Sequence, residues 1–356
     1  MSESSPTLEI LDPILEDEKV QIKKSKFESI KLYVFVGFLI VLSQVIFSGY
    51  GVVSVLYTKG LQIDIPLFIF FRALISALVT LLLAAIFEKG LIIPRPPFKL
   101  ELCYFIIIGF MVNQLVPLIY LYAIVYTTAS YCAIFSQLIP IFTAIYFYMF
   151  RIEKITSIRE RWAIVQILGI LIGCVFATII VALQFHGFSK DKKVESLVIG
   201  TVLAILLNVI FALQFVCQTK LFYRNPNSEF KSRPLTTQAY SVTGGFLVYL
   251  VLVIPYFCLK RHIFDNIPIK ILIPVLYASV LMCPVSFGLM AYCSKKVSPM
   301  IVGASFSLNV VLSFVMLRLF ANEKLKIEQY ILFIFVVIGV FMVLFAPILK
   351  PPAPKN

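Results

Sequence analysis

The chain has 356 residues, of which 60% are hydrophobic and only 14% are charged, and its formal net charge is +13 at pH 7. Soluble domains contain roughly 45–50% apolar and about 25% charged residues, so this composition excludes an ordinary soluble protein. The positive charge does not require nucleic acid as a partner, because lysine and arginine beside anionic lipid account for it.

Ten apolar runs are long enough to cross the roughly 30 Å hydrocarbon layer as helices. These predicted spans, numbered 1 to 10 in chain order, are 32–57, 65–87, 101–124, 128–150, 162–184, 197–222, 237–259, 270–293, 299–320 and 328–349. Spans 6 and 8 are long enough to be tilted or interrupted, and Thr127-Thr128 is the short joint between spans 3 and 4. The expected fold class is an all-α polytopic membrane protein that has the lipid bilayer as its partner.

The charges near the N-terminus and in the loops predict the orientation. The first 31 residues lack the basic region and apolar stretch of a cleavable signal peptide, and they are predicted to form a disordered cytosolic tail. Of the 31 Lys and Arg, 20 lie in the tail and in the segments predicted on its side, and 10 lie in the outer loops. Both termini are therefore predicted to be cytosolic. The expected location is the plasma membrane, with an internal membrane as the alternative.

A stretch of the chain recurs 170 residues later, where Glu153-Lys154 returns as Glu323-Lys324 and Gly169 returns as Gly339. Internal repeats of membrane spans are typical of secondary transporters, whose substrate sites lie near the midplane where the halves meet. Ten spans divide into two halves of five, and an odd number per half inverts the second copy. The predicted organisation is a tail at 1–31, a first repeat at 32–184, an outer linker at 185–196, a second repeat at 197–349 and a cytosolic tail at 350–356.

Two segments carry a family resemblance. The first runs from Tyr126-Thr-Thr-Ala-Ser-Tyr through Ser136-Gln-Leu-Ile-Pro to Phe150-Arg-Ile-Glu-Lys, and the second is Lys295-Lys-Val-Ser-Pro. They resemble the fourth span and the start of the ninth span of the EamA-type drug/metabolite transporters, closest to the plant UMAMIT (walls-are-thin-related) branch. The resemblance covers residues 32–349, with Gln137 where the plant proteins usually have Asn. It implies a carrier of amino acids, organic acids or other small metabolites.

The predicted spans offer no constellation for catalysis. His186 and His262 lie in or beside outer loops, and all five aspartates lie outside the spans. We therefore expect neither an enzyme nor a cofactor or metal. Ion-driven carriers usually place a carboxylate or histidine inside the bundle, so the same pattern favours a facilitator or an exchanger.

Small polar side chains recur every three or four residues on several spans, so that each row shares one helix face. Such groups face protein or water rather than lipid, so the rows predict a polar cavity, with interhelical hydrogen bonding as the alternative for any single residue. The predicted substrate-binding residues are Gln44, Ser48, Arg72, Asn113, Gln114, Tyr120, Ser130, Gln137, Gln214, Ser305 and Asn309. Arg72, the one charge well inside a span, is either a counter-charge for an anionic substrate or a structural arginine bonded to carbonyls of a neighbouring span.

The leading interpretation is a secondary transporter that moves a small polar metabolite, an amino acid or an organic acid, by alternating access. A nucleotide-sugar, nucleoside or nucleobase carrier of internal membranes is the alternative on the same fold, and a receptor or scaffold without flux is the alternative of another class. The GxxxG pattern Gly169–Gly173 in span 5 permits close helix contact, and it favours packing within one chain over dimerisation. A monomer or a homodimer is expected.

An epitope tag placed after Asn356 tests the orientation. The tag is expected to be reached by antibody only after cells are permeabilised, because the excess of Lys and Arg places both termini in the cytosol. A tag inserted after Asp191, in the predicted outer linker, is the matched control and should be stained on intact cells. Staining of the C-terminal tag on intact cells would contradict the orientation.

Overall fold

All the regular secondary structure in the described part of the chain is helical. A computed structural model describes residues 11–60, 64–91, 99–136, 138–150, 161–188, 194–223, 225, 228–264, 267–297, 299–320 and 327–346. The chain divides into two compact units, Met1–Leu39 and Ile40–Asn356. The contacts described below all lie within the second unit.

Nine segments of the described residues are long and apolar enough to cross a membrane, judged by length and composition. They are spans 1 to 9, at Lys31–Leu56, Ile65–Phe87, Leu100–Tyr126, Ala129–Phe147, Trp162–Ile180, Glu195–Tyr223, Pro234–Leu259, Ile269–Lys296 and Ile301–Phe320. Helix Ile327–Phe345, with 19 residues, occupies the position of predicted span 10. The all-α polytopic fold predicted from the sequence is confirmed, and the spans begin and end within a few residues of their predicted bounds.

Span 1 differs from its prediction at the N-terminal side. It lies in a helix that begins at Leu11 and ends at Gly60, so the chain is helical over much of the predicted disordered tail. Residues 1–10 lie outside the described residues. The segment after Leu11 is rich in Leu, Glu and Lys, which are strong helix formers, and extending an existing helix avoids the cost of a new nucleus.

Spans 4 and 9 are broken at corresponding places in the repeat. Span 4 consists of helices Ala129–Phe135 and Leu138–Met149, with residue 137 outside the described part of the chain. Span 9 consists of helices Pro299–Ala304 and Phe306–Phe320, with the break at Ser305. The 170-residue offset carries position 305 onto position 135, where the first helix of span 4 ends. Interrupted spans at corresponding positions of two halves mark the central site of many transporters.

Spans 3 and 8 contain wide, π-helical turns, at Tyr104–Ile108, Met111–Leu115 and Tyr277–Ser286. Pro284 lies inside the span 8 segment, where it lacks the N–H that would continue an α-helical ladder. Span 8 is therefore a continuous helix with a wide-turned middle, whereas the sequence predicted that it was tilted or interrupted. The other helices are Lys99–Cys103 and Val116–Tyr126 in span 3, Arg161–Phe188 for span 5, Val194–Gln218 with Thr219–Tyr223 for span 6, Pro234–Leu259 for span 7, and Ile269–Ile271, Leu272–Leu276 and Phe287–Lys296 in span 8.

The turn between spans 3 and 4 is present where the sequence predicts it. Span 3 ends at Tyr126, and Thr128 caps the helix that follows. The Thr128 Oγ1 accepts a hydrogen bond from the Tyr131 N–H over 3.2 Å, which satisfies one of the unpaired donors at a helix start.

The two copies of the repeat interlock. Equivalent spans pack against each other, span 2 against span 7, span 4 against span 9, and span 5 against span 10. Span 3 crosses to spans 6 and 7 of the other copy, and span 8 crosses to span 2. Span 8 also bonds to span 1, because Ser286 Oγ donates to Ser43 O over 3.0 Å and Tyr277 Oη donates to Ile46 O over 2.7 Å. The interface between the copies is thus the core of the bundle.

Carboxylates tie span 2 to span 7 at both ends. Glu88, after span 2, accepts hydrogen bonds from the backbone N–H groups of Leu235 and Thr236, each over 2.8 Å. It thereby caps the start of span 7, whose first N–H groups have no partner within the helix. At the opposite end, Tyr256 Oη donates to Asp64 Oδ2 over 2.5 Å. Both carboxylates of this pair of spans are therefore engaged at the ends of the helices.

The GxxxG pattern of span 5 packs against span 10 of the same chain. A Cβ added to Gly339 would lie 2.6 Å from Gly169 O and 2.9 Å from Gly173 N, so a larger side chain has no room there. Gly169 and Gly339 are equivalent positions of the repeat, and glycine at both lets the helix backbones touch.

Replacing Gly339 with Val is expected to force spans 5 and 10 apart and to lower the melting temperature of the detergent-solubilised protein. Overpacking of this kind costs about 1–3 kcal/mol. Gly37→Val is the matched control, since no described atom lies within 4 Å of the position that a Cβ on Gly37 would take. Melting curves from size-exclusion chromatography after heating decide the case, and a Gly339→Val protein as stable as the control would contradict the contact.

Candidate functional site

A cavity lies where the two copies meet, beside the breaks of spans 4 and 9. Its wall is built from aromatic, aliphatic and small polar side chains of spans 1, 3, 4, 6, 8 and 9. They are Phe47, Tyr50, Val112, Val116, Pro117, Tyr120, Cys132, Ala133, Ser136, Ile139, Leu207, Asn208, Phe211, Met282, Phe287, Asn309 and Ser313. The space open to a water-sized molecule is only about 50 Å³. Ligand pockets usually have volumes of roughly 300–1,000 Å³, so the cavity is nearly closed in this conformation.

Two asparagines provide the amide groups of the cavity wall. Asn208 in span 6 donates from Nδ2 to Ala204 O over 2.6 Å, while its Oδ1 is buried and has no hydrogen-bond partner among the described residues. Asn309 in span 9 accepts at Oδ1 from Ser313 Oγ over 3.2 Å. A buried acceptor without a partner costs free energy, which a donor group on a bound molecule would recover. The wall can therefore bind a small molecule that carries donors.

Tyrosines form part of the wall opposite these amides. The rings of Tyr50 in span 1 and Tyr120 in span 3 are stacked, with their centroids 5.4 Å apart. Gly51 permits this approach, since a Cβ there would lie 3.3 Å from Tyr120 Oη. Tyrosine offers a flat apolar face and a polar tip, so this wall suits a molecule that is partly apolar and partly polar.

Two apolar layers border the cavity at different heights of span 9. In the phenylalanine layer the Phe306 ring lies 5.5 Å from Phe47 and 5.1 Å from Phe211. In the aliphatic layer Val52 of span 1 packs in one buried cluster with Leu317 of span 9. Span 9 passes through the first layer, then the cavity and then the second layer. At 1.5 Å per residue, Phe306 and Leu317 lie about 16 Å apart along span 9, and Phe47 and Val52 lie about 8 Å apart along span 1.

The break in span 9 is held by span 1. Gln44 donates from Nε2 to Ser305 Oγ over 2.9 Å, and Ser305 Oγ in turn donates to Val302 O over 2.7 Å. Both residues were predicted as binding residues, and the structure brings them together beside the cavity without placing them among its lining residues. Gln44 Oε1 is buried and has no partner among the described residues. Ser48, predicted on the same face, donates to Val45 O of its own helix over 2.8 Å.

Arg72 lies behind the cavity wall. Its side chain is fully buried, and Nη1 donates to Asn113 O over 2.6 Å. Nη2 lies 3.9 Å from the sulfur of Met282, a cavity-lining residue, and Nε has no partner among the described residues. The sequence left two alternatives for Arg72, a counter-charge for an anionic substrate and a structural arginine. A bond to a backbone carbonyl of a neighbouring span is the contact expected of a structural arginine. Met282 is the side chain that separates the guanidinium from the cavity.

Asn113 joins three spans at this point. Its carbonyl accepts from Arg72 of span 2, and its Nδ2 donates to Ser241 Oγ of span 7 over 3.2 Å. Of the predicted binding residues of span 3, Tyr120 lines the central cavity, whereas Asn113 and Gln114 do not. Asn113 supports the wall from behind.

The remaining predicted residues lie apart from the central cavity or outside the described residues. Gln114 lines a different cleft, between spans 3 and 7. Gln214 and Ser130 are buried, although neither lines the cavity. Gln137 lies outside the described residues, so its role as a substrate-binding residue stays a prediction.

Several cavity residues were missed by the analysis of the sequence. Asn208 is the one asparagine of span 6, and an amide in an otherwise apolar run is a signal that could have identified it. Gln214 of the same helix was predicted instead, and it does not line the cavity. Tyr50 and Phe47 carry no such signal, because aromatic residues are frequent in every span of this chain.

Comparison with known proteins finds a matching family profile and a similar plant protein. The profile of the EamA-like transporter family matches it twice, at residues 34–182 and 198–345, which correspond to the two copies of the repeat. A WAT1-related protein of Arabidopsis thaliana is 26% identical over 202 residues, a match that covers 52% of this chain and 58% of that protein. The match therefore spans less than two thirds of that relative.

A solved crystal structure has the same fold. It superposes with a TM-score of 0.60 and covers 87% of this chain and 96% of its own, with 14% sequence identity. At that identity the likeness concerns the fold alone.

Proposed function

The chain belongs to the EamA-like transporter family, and on that premise we propose that it is a secondary carrier that moves a small polar metabolite by alternating access. The observation that carries this proposal is the closed cavity beside the paired breaks of spans 4 and 9. Irregular backbone at membrane depth is tolerated only where it is buried in protein or lines a cavity. Its recurrence at corresponding positions of two repeats is therefore best explained by a shared substrate site.

The two apolar layers support alternating access. Each layer joins the two copies, because Phe47 meets Phe306 in one layer and Val52 clusters with Leu317 in the other. A relative rotation of the copies would therefore open one layer while the other stays closed. With the N-terminus in the cytosol, the phenylalanine layer is the inner gate and the aliphatic layer is the outer gate.

The chemistry around the cavity favours an amino acid or an organic acid as the substrate. The unpartnered Oδ1 of Asn208 can accept a hydrogen bond from an amine or a hydroxyl group. Arg72 can bind a carboxylate if Met282 moves aside, and methionine is a flexible side chain with a thioether that adapts readily. The apolar faces of Tyr50 and Phe47 leave room for an uncharged part of the molecule.

The carboxylates of span 2 support a facilitator or an exchanger rather than an ion-coupled carrier. Asp64 and Glu88 are both bonded to span 7 at the ends of the helices, about 35 Å apart along a 23-residue helix. A proton-coupling carboxylate is usually found inside the bundle, near the substrate.

Radiotracer uptake into proteoliposomes tests the proposed function. Vesicles that contain the purified protein should take up one class of amino acid or organic acid saturably, without an imposed proton or sodium gradient. Uptake that occurs only with nucleosides, nucleobases or nucleotide sugars would favour the alternative carrier. A ligand that stabilises the protein against heat and yet shows no flux would favour a receptor.

Asn309→Ala and Gln137→Ala are expected to reduce transport while leaving expression nearly intact. Each removes one amide that is predicted to bind the substrate, and one lost hydrogen bond is worth about 1 kcal/mol, or roughly a fivefold loss of kcat/KM. Gln166→Ala is the matched control, because Gln166 is a buried amide of span 5 that does not line the cavity. Normal flux and unchanged substrate preference in both variants would identify the two residues as packing groups.

Arg72→Met separates the two alternatives for Arg72. The change removes the donor that Arg72 supplies to Asn113 O and leaves that buried acceptor unpaired, so a structural arginine predicts a lower melting temperature. If Arg72 binds the substrate, acids should lose their advantage over neutral analogues, and Arg72→Lys should keep part of it. Selectivity and melting temperature are measured on the same preparations. A lower melting temperature with intact selectivity would show that the arginine is structural.

A further inference from the structure

A second cleft lies on the opposite side of span 3 from the central cavity. It has about 230 Å³ of space open to a water-sized molecule, and it runs between spans 3 and 7. Val112, Val116 and Tyr120 of span 3 line the central cavity, whereas Gln114, Leu118 and Tyr122 of the same span line the cleft. Span 3 is therefore a wall between two separate spaces.

Contacts between spans 3 and 7 set the shape of the cleft. On one side of it the helix backbones touch, since a Cβ on Gly245 would lie 2.4 Å from Gly109 O. Beyond this contact the cleft is lined by Leu118 and Tyr122 of span 3 and by Tyr249 of span 7. The hydroxyl of Tyr249 donates to Pro66 O over 2.9 Å, which fixes one wall. Tyr122 is 38% exposed and Leu252 is 59% exposed, so the cleft opens between side chains on the outer surface of the bundle.

Gln114 supplies an amide among the described residues that line this cleft. Its side chain is only 1% exposed, and neither Oε1 nor Nε2 has a hydrogen-bond partner among the described residues. A buried amide that leaves both its donor and its acceptor unpaired is costly in an apolar surrounding. The same residue lines a space that is large enough for a small ring, so a bound molecule can supply both missing partners.

A phospholipid chain does not suit this position. Gln114 lies near the middle of span 3, which runs from Leu100 to Tyr126, and therefore near the middle of the bilayer. The acyl chains of a lipid place their apolar methyl ends at that depth, where they offer the amide neither a donor nor an acceptor. The occupant must instead carry its polar group into the centre of the membrane.

We propose that the cleft is a binding site for a small, uncharged and mainly apolar molecule that presents a hydrogen-bond donor beside an acceptor, as a carboxamide or a lactam does. Such a group pairs with the Gln114 amide through two hydrogen bonds side by side. The ring of the molecule packs against Phe110, Leu118 and Val253. This site is separate from the central cavity, so it stands whatever substrate the carrier moves.

Fluorine NMR on the purified protein in phosphatidylcholine nanodiscs tests the proposal. The probe is 4-fluorobenzamide, and 4-fluoro-α-methylstyrene, in which CH2 and CH3 replace the amide O and NH2, is the isostere that lacks the amide. Only the amide should bind saturably above the level of protein-free nanodiscs. Gln114→Leu should weaken its binding roughly thirtyfold, because two hydrogen bonds of about 1 kcal/mol each are lost. Gln166→Leu makes the same chemical change in span 5, away from the cleft, and should bind as the wild type does.

Two further measurements keep the test decisive. Leu118→Trp fills the cleft and leaves Gln114 in place, so it should also abolish binding of the amide. Without a probe, Gln114→Leu should melt at the same temperature as the wild type or higher, because it removes two unpaired polar atoms. Equal binding of both probes, or unchanged amide binding in Gln114→Leu or Leu118→Trp, would overturn the proposal. The proposal would also be overturned if the amide did not bind and the wild type instead retained a phospholipid that Leu118→Trp had lost.

Discussion

Hydrocarbon offers no hydrogen-bond partner, and this constraint governs where the polar side chains of the described residues lie. Gln44, Asn113, Ser241 and Ser305 all face another helix, and each of them bonds across the bundle or within it. Glu88 and Asp64 stay at the helix ends, where they satisfy N–H and O–H groups that lipid would leave unpaired. The polar groups thus hold the two copies together because the bilayer gives them no other partner.

The packing of the two copies of the repeat satisfies that constraint. One copy of five spans would expose its polar rows to lipid, but a second inverted copy covers them, and the spans exchange partners across the interface. Span 3 reaches into the second copy, and span 8 reaches into the first. The same exchange leaves a small space at the centre, where the breaks of spans 4 and 9 come together. The cavity is therefore a product of the way the copies interlock.

The sequence predicted the spans, the turn at Thr127-Thr128 and the repeat, because length, hydropathy and an exact offset are properties of the chain itself. The prediction was weaker at the level of helix faces. Asn113 and Gln114 were both predicted to face the central cavity. Instead, Asn113 bonds to spans 2 and 7, and Gln114 lines the second cleft, between spans 3 and 7. Consecutive residues differ in direction by about 100°, and the wide turn at Met111–Leu115 shifts the register further. Which polar row meets which neighbour depends on tertiary packing, and spacing along one helix does not contain that information.

The depth of Arg72 has an electrical consequence. A guanidinium keeps its positive charge at every physiological pH, so the membrane voltage acts on it whenever span 2 moves along the membrane normal. Carrying one charge through the whole field is worth about 2.3 kcal/mol per 100 mV. Arg72 lies about 6 Å from the middle of span 2, close to the depth about which two rocking copies would pivot. A charge near the pivot travels least, so the field does little work on the protein itself, and the voltage dependence of flux would report mainly the charge of the solute.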